Sequence, residues 1–300
     1  YEICACLVGS EMCIRDSMNF QQIRSATIKI TYAGKTFLID PWLAPRFTSG
    51  CLAMIPMMCA MNSGGDPRKK YVFDECSTWE AVKPKHKWLP CPLHSLPMSV
   101  KEVNEGVDAY ICTHVHLDHI GLAPNGKACQ GLDKNRPIYA INRQDADYLA
   151  FSGMKDVRVI EDRVTWGDAE IIKVNAVHGT KVPCCDAAGF IFRSPNEKTL
   201  YVCGDTVWCD DVAETIEKYH PDVIITNNCA AMLVKNGRLI MDDNDLAKVC
   251  AAAPEAVVIA SHMDNVPHAT LTRKTLSKKL EKKGIRNRVC IPEDGESYTL

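Results

Sequence analysis

Long apolar runs are missing from this chain. None approaches the roughly 18–20 residues of a membrane-spanning helix, which excludes an integral helical membrane protein. Charge of one sign is missing too. Lys and Arg number 35 against 37 Asp and Glu, a formal net charge of −2, so no global field draws the chain to nucleic acid or to an acidic membrane surface. Low-complexity tracts, fixed-period repeats and a linker beyond Pro97 are likewise absent. Neither a Gly-x-Ser-x-Gly elbow nor a Gly-x-Gly-x-x-Gly run occurs, which argues against a serine hydrolase and against a nucleotide oxidoreductase of the usual kind. What remains is 300 residues, 46% hydrophobic and 24% charged, enough to bury a large core in one compact domain.

Sixteen cysteines would suggest disulfides in a short secreted protein, but here they are scattered without regular spacing. They read as reduced thiols of a cytoplasmic protein. Residues 1–17 hold three of them (Cys4, Cys6 and Cys13) and lack the basic start and apolar stretch of a signal peptide. The run CLVGSEMCIRDS within this segment resembles translated sequencing-adapter sequence, so 1–17 is expected to be a non-native leader, with Met18 opening a single domain over 18–300.

From Ile23 to Asp40 the alternation of Ala26, Ile28, Ile30 and Tyr32, a turn at Ala33-Gly34 and then Thr36-Phe37-Leu38-Ile39 predict a hairpin. The next stretch, near 41–100, is rich in Pro, Gly, Met, Cys and Trp and reads as an inserted set of loops and short helices that could serve as a lid. Beyond a short helix at Ser99–Gly106, strands are predicted at 107–113, 138–141, 157–160, 170–177, 189–193 and 199–203. Helices at 211–219, 244–252 and 272–283 then alternate with strands at 223–226, 257–260 and 288–291. Meandering strands followed by helix–strand alternation imply an α/β architecture of sheets covered by helices.

The chemistry is concentrated where the strand at 107–113 ends, in Thr113-His114-Val115-His116-Leu117-Asp118-His119. Three imidazoles and a carboxylate so close together are costly to leave unpaired, yet at a strand terminus they can turn towards one point. His114 and His116, two apart, share a face while the chain stays extended. Imidazole nitrogen and carboxylate oxygen suit zinc, manganese or iron, and four donors exceed what one catalytic ion takes from so short a segment. Further ligands are then expected at other strand ends. His178, Asp205 and His262 stand there, after the strands at 170–177, 199–203 and 257–260.

With Asp40 at the end of an early strand, these residues resemble the metallo-β-lactamase-fold hydrolase superfamily: Asp40, the His-x-His-x-Asp-His run at 114–119, His178, Asp205 and His262, in that order. The resemblance covers nearly everything from Ile23 onward. It implies a four-layer αβ/βα sandwich with a metal site at one edge of the two sheets. In that scheme His114, His116 and His178 hold one ion, Asp118, His119 and His262 a second, Asp205 bridges them, and Asp40 orients the histidine loop. Leu38-Ile39-Asp40-Pro41-Trp42, Tyr201–Thr206 and His262-Met263-Asp264-Asn265-Val266-Pro267-His268 are most similar to the branch containing L-ascorbate 6-phosphate lactonase. Members of that branch hold one or two ions, zinc or manganese.

The expected function is therefore a metal-dependent hydrolase in which a metal-activated hydroxide attacks a small, anionic ester or lactone, a sugar-phosphate lactone being the sharpest case. Asp118 would act both as ligand and as the group that orients or deprotonates the water. His268 could donate to a developing oxyanion or cap the next helix, and Arg273 could grip a substrate phosphate or carboxylate or be solvated. The rival readings are a phosphodiesterase or RNA-processing nuclease of the same fold and a non-catalytic metal-dependent ligand-binding protein. A small-molecule substrate is expected as partner, without nucleic acid or membrane, and the chain could form a homo-oligomer.

Three other signals are set aside. Gly121–Lys127 has phosphate-loop spacing but carries Ala128 where a hydroxyl should meet magnesium. Cys51, Cys59, Cys76 and Cys91 match no zinc module. Met54, Met57, Met58 and Met61 share helical spacing, for which core packing is the common use.

Overall fold

The computed structural model describes residues 18–123 and 125–300; the proposed leader at 1–17 lies outside them. The first of two seven-stranded sheets contains β1 (Asn19–Arg24), β2 (Thr27–Tyr32), β3 (Lys35–Ile39), β4 (Ala109–Ile111), β5 (Ile138–Ala140) and β6 (Val157–Val159), and β16 (Ser297–Thr299) is added outside β1. The second is ordered β15 (Val289–Cys290), β14 (Val257–Ser261), β11 (Val223–Asn227), β10 (Leu200–Val202), β9 (Ala187–Arg193), β8 (Ala169–Ala176) and β7 (Arg163–Trp166). A two-stranded hairpin, β12 (Met232–Leu233) and β13 (Gly237–Arg238), stands apart.

Alternation along the strands sorts the side chains into two cores. Ile28, Ile30, Phe37, Ile39 and Ile111 from the first sheet meet Ile171, Phe190, Phe192, Ile225 and Ile259 from the second, filling the space between the sheets. Their neighbours Leu38, Tyr110, Ile138, Ile224 and Val258 face outward against helices. These helices are α3 (Val100–Asn104) and α5 (Arg143–Phe151) on one side and α6 (Asp210–Tyr219), α7 (Asp243–Ala252) and α8 (Arg273–Lys282) on the other. The α/β expectation thus resolves into helix, sheet, sheet, helix. Strands β10, β11 and β14 run parallel and are covered on both faces, which is why they read as nearly unbroken apolar runs. No described helix is long and apolar enough to cross a membrane.

The segment 41–100 folds onto this frame through α1 (Ile55–Asn62), α2 (Pro67–Cys76) and a 3-10 turn at Pro84–Trp88. Trp42, Leu52, Ile55, Phe73, Cys76 and Trp79 are buried in the same core as the outer sheet faces. The methionine stripe behaves otherwise: Met54, Met57 and Met61 are exposed, because α1 turns Ile55 and Cys59 inward instead. Arg24, itself fully buried, ties both ends of the segment down. Its Nη2 donates to the carbonyls of Trp42 at 2.7 Å and Ala44 at 2.9 Å, and its Nη1 to that of His94 at 3.2 Å.

Helix α8 buries Leu276 and Leu280 and pairs with α7 through Asp243. Lys279 Nζ lies 2.6 Å and Lys283 Nζ 3.3 Å from the Asp243 carboxylate. Burial raises the Asp243 pKa, but the two ammonium groups outweigh it and hold the carboxyl below its usual range. A lowered folded-state pKa stabilises above the unfolded value of about 4 and is lost as the pH falls through the folded value. Asp243→Asn is accordingly expected to cost about 1 kcal/mol at neutral pH, the lysines being partly exposed, and almost nothing in strong acid. Urea unfolding of both proteins across that range checks it; a cost independent of pH would disprove the ion-pair account.

Candidate metal centre

The strands β3, β4, β8, β10 and β14 all end at one edge, and each delivers a polar residue there. After β4 the chain runs through Thr113 to His114 and His116, then turns into the single-turn helix α4 (Leu117–Ile120), which carries Asp118 and His119. His178 follows β8, Asp205 follows β10 and His262 follows β14. All seven side chains are buried. Sheet ends are held together by Ala188 N donating to Thr113 O at 3.1 Å and His262 N to Ser25 O at 3.0 Å.

Turning ligands inward strains the backbone. Asp40 and His262 adopt positive φ of 48° and 60°, rarely populated by such residues and typical of functional sites. Gly204, before Asp205, has φ +65° and so little space that an added Cβ would lie 2.5 Å from Ala188 O, so only glycine fits.

The seven residues form two groups sharing one carboxylate. His114, His116 and His178 place donor atoms within 4.8 Å of one another, with Cys185 beside them; Asp118, His119 and His262 do the same. Between them, Asp205 Oδ2 lies 3.3 Å from His119 Nε2 and 3.6 Å from His178 Nε2, while Oδ1 lies 4.0 Å from His262 Nε2. The outward nitrogen of each imidazole is held. Thr113 Oγ1 lies 3.1 Å from His114 Nδ1, Asp40 Oδ2 2.8 Å from His119 Nδ1, Leu239 O 3.0 Å from His178 Nδ1, and Ser25 Oγ 3.2 Å from His262 Nδ1. Asp40 also accepts from Thr113 N and Oγ1, both at 2.8 Å, which ties the histidine loop to β3.

The inward nitrogens are the informative ones. His114 Nε2 and His262 Nε2 are buried without a hydrogen-bond partner, a cost that a cation among them removes. Burial and the surrounding imidazoles push the pKa of His114 far down, and burial above all brings His178 to about 4, so both are neutral and offer lone pairs. Burial would raise the Asp205 pKa, but the imidazoles of His119 and His262 outweigh it and keep the carboxyl ionised. Burial works against charge on His119 and His262, but Asp205 outweighs it and raises both, His119 to about 10, so they hold protons that a divalent ion would displace. Buried imidazoles and carboxylates with fixed outer nitrogens fit one or two divalent ions.

A lid closes over these residues. Trp79, Ala231, Leu233 and Leu239 line the remaining cavity of about 10 Å³ together with His116, Asp118, His178, Asp205, His262 and His268. Ala81 of the inserted segment bridges to Leu233 of the β12–β13 hairpin, and Val234 N donates to Glu80 O at 3.0 Å. His268 reaches this cavity, its Nδ1 buried without a partner and its pKa lowered by burial to about 4. Arg273 does not line it. The guanidinium is spent on Asp264 at 3.0 Å, on the carbonyl of Pro292 at 2.7 Å and on Asp294, outside the metal cavity.

One participant escaped the sequence reading. Glu75 of α2 reaches the far side of His116, its two oxygens 3.2 and 3.1 Å from Nε2. Its signal was a lone carboxylate within the apolar stripe Val72, Phe73, Cys76, the buried face of α2.

A family model described as a Beta-lactamase superfamily domain matches residues 89–263, more than half of the chain. The chain belongs to that superfamily. Over 287 residues it is 36% identical to the UPF0173 protein YddR of Bacillus subtilis, covering 94% of this chain and 100% of that one. The crystal structure of a possible metal-dependent hydrolase from Veillonella parvula superposes with a TM-score of 0.77 at 30% identity, covering 95% of this chain and 100% of the other. An isothiocyanate hydrolase from Delia radicum gut bacteria gives 0.78 at 29% identity, covering 94% and 99%. This superfamily member is a metal-dependent hydrolase of the UPF0173 family with the α/β metallo-β-lactamase fold.

Proposed function

We propose that the protein hydrolyses small, uncharged electrophiles, with an organic isothiocyanate as the preferred substrate class. The observation that carries this reading is the wall of the metal cavity. Facing the metal-ligating residues, its wall is formed by Trp79, Ala231, Leu233 and Leu239, and no lysine or arginine is among its lining residues. A sugar-phosphate lactone, the substrate that the sequence resemblance favours, needs a cation for its phosphate, and Arg273 is already paired with the carboxylates of Asp264, Glu293 and Asp294. A small heteroallene needs none. The name of the solved relative from Delia radicum gut bacteria adds support.

Overall, R–N=C=S and water become R–NH2 and carbonyl sulfide: a C–O bond forms at the central carbon, two protons reach nitrogen, and the C–N bond breaks. Bound divalent ions, zinc or manganese, supply Lewis acidity and a water of lowered pKa. The chain's own residues do the rest. Asp118, its Oδ2 3.4 Å from His262 Nε2, orients the attacking water and takes its proton. His268, neutral at physiological pH, gives a ring N–H to the substrate atom on which negative charge develops. Trp79 and the hairpin exclude bulk water and strengthen these interactions.

The test is a panel of aryl isothiocyanate, a neutral lactone and bis(p-nitrophenyl) phosphate, assayed on metal-loaded protein before and after chelation. Amine and carbonyl sulfide are expected from the isothiocyanate, with loss on chelation and recovery on adding zinc or manganese. Preferential cleavage of the lactone or the diester would replace the reading by that activity. A metal-loaded protein inert to all three would point to ligand binding without turnover.

A further inference from the structure

Among the ligand histidines His116 is set apart by which nitrogen it turns inward. Its Nδ1 lies 3.2 Å from His178 Nε2, within the first metal group, whereas the other four imidazoles are anchored through Nδ1 and turn Nε2 inward. Its anchor is different too. Thr113, Asp40, Leu239 and Ser25 lie outside the inserted segment, but the outward Nε2 of His116 faces Glu75, on a helix of that segment.

We propose that Glu75 is a positioning residue: by accepting the Nε2–H of His116 it fixes the ring with Nδ1 towards the ions, so that metal binding depends on the inserted segment being seated. The carboxylate is itself fixed. Trp79 Nε1 donates to Oε1 at 3.0 Å and Cys184 Sγ at 2.8 Å, which leaves the two oxygens little freedom to follow a rotating imidazole. Trp79 also sets its ring edge-on to His116, with centroids 5.0 Å apart. Without Glu75 the imidazole has no partner for Nε2, and either tautomer and either ring orientation becomes accessible. A group holding the outer nitrogen of a ligand histidine contributes about 10–100-fold to metal affinity. Trp79 lines the metal cavity and donates to the same carboxylate, so one hydrogen-bonded unit joins the lid to the ion site.

The inference requires the metal centre but not the identity of the substrate, so its test reads metal binding. Full-length protein is stripped, reloaded with cobalt(II), and followed by chelator competition and by the paramagnetically shifted imidazole N–H signals. Glu75→Leu is expected to bind one cobalt ion about 10–100-fold more weakly than wild type and to lose one shifted N–H signal to rapid exchange. Glu75→Gln keeps an acceptor, so it should restore most of the affinity while moving that signal. Wild-type affinity and an unchanged set of N–H signals in Glu75→Leu would overturn the inference. Should Glu75→Leu fail to fold, an unmoved signal in Glu75→Gln would overturn it equally. A wild-type protein that takes up no cobalt would overturn the metal centre as well, whereas inactivity towards isothiocyanate with normal cobalt binding would sink the substrate proposal alone.

Discussion

Asp205→Asn is expected to reduce kcat/KM by about 10³-fold or more, the several kcal/mol that bound ions contribute to a transition state, while leaving the fold in place. The size follows from where the carboxylate stands. Asp205 is the residue that touches both donor groups, reaching His119 and His178 with one oxygen and His262 with the other. An amide in its place removes a negative charge shared by both groups. It also turns against a neighbour, because Asn227 Nδ2 already donates to Oδ1 at 2.6 Å and would face either an NH2 or a weaker acceptor. The backbone is unaffected, since β10 ends at Val202 and its ladder with β9 and β11 does not use this side chain. Metal content, kcat/KM and the melting temperature, measured on Asp205→Asn and on His116→Ala, check this together. Full activity in both variants would remove the metal-centre assignment.

Arg24→Leu is expected to be the most destabilising single change outside the site, costing about 3–5 kcal/mol. The guanidinium is fully buried and lies over the Trp42 ring at 5.0 Å. Burial lowers its pKa to about 10, with Asp294 the main opposing influence, so it remains charged at neutral pH. Truncation leaves three carbonyls without this donor at about 1–3 kcal/mol each, offset in part by relief of the buried charge. A melting temperature lower by roughly 6–15 °C follows for a domain of this size. Loss should appear first at 42–44 and 94, as faster hydrogen exchange, before the sheets open. A melting point within a degree of wild type would show that these bonds are replaced by water at no cost.

Much of the donor set is readable in one dimension because strand ends place it. A strand that leaves the core must stop somewhere, and a histidine or aspartate directly after Val177, Gly204 or Ser261 is brought to the shared edge by the parallel course of β8, β10 and β14. Side-chain partnerships across the fold are not readable that way. Arg273 looked free for an anion, but Asp264 and Asp294, nine and twenty-one residues away, converge on it only when the loop after β14 and the C-terminal turn pack together. Glu75 had no motif around it, and its meaning depends on α2 lying beside His116. Among the elements, β1, β7, β12, β13, β16, α4 and α5 were not anticipated. In α5 just Ala146, Tyr148 and Leu149 among the apolar residues are buried, too few for a periodic stripe, and in the strands neighbours rather than propensity decide. The methionine stripe shows the converse: Met54, Met57 and Met61 point to solvent, and Met58 packs in part against the core.

Ten of the thirteen described cysteines are buried. Burial pushes the thiols of Cys76, Cys91, Cys112, Cys129, Cys184 and Cys203 upward, so they stay protonated at neutral pH. A thiol attacks carbon electrophiles as the thiolate, and an isothiocyanate is such an electrophile. Under the substrate proposal made above, an exposed thiolate would be thiocarbamoylated to a dithiocarbamate ester by the compound being hydrolysed. Among the described cysteines only Cys185, Cys209 and Cys290 are partly exposed. The packing that fills the core with cysteine therefore also shields the protein from the compound it would consume.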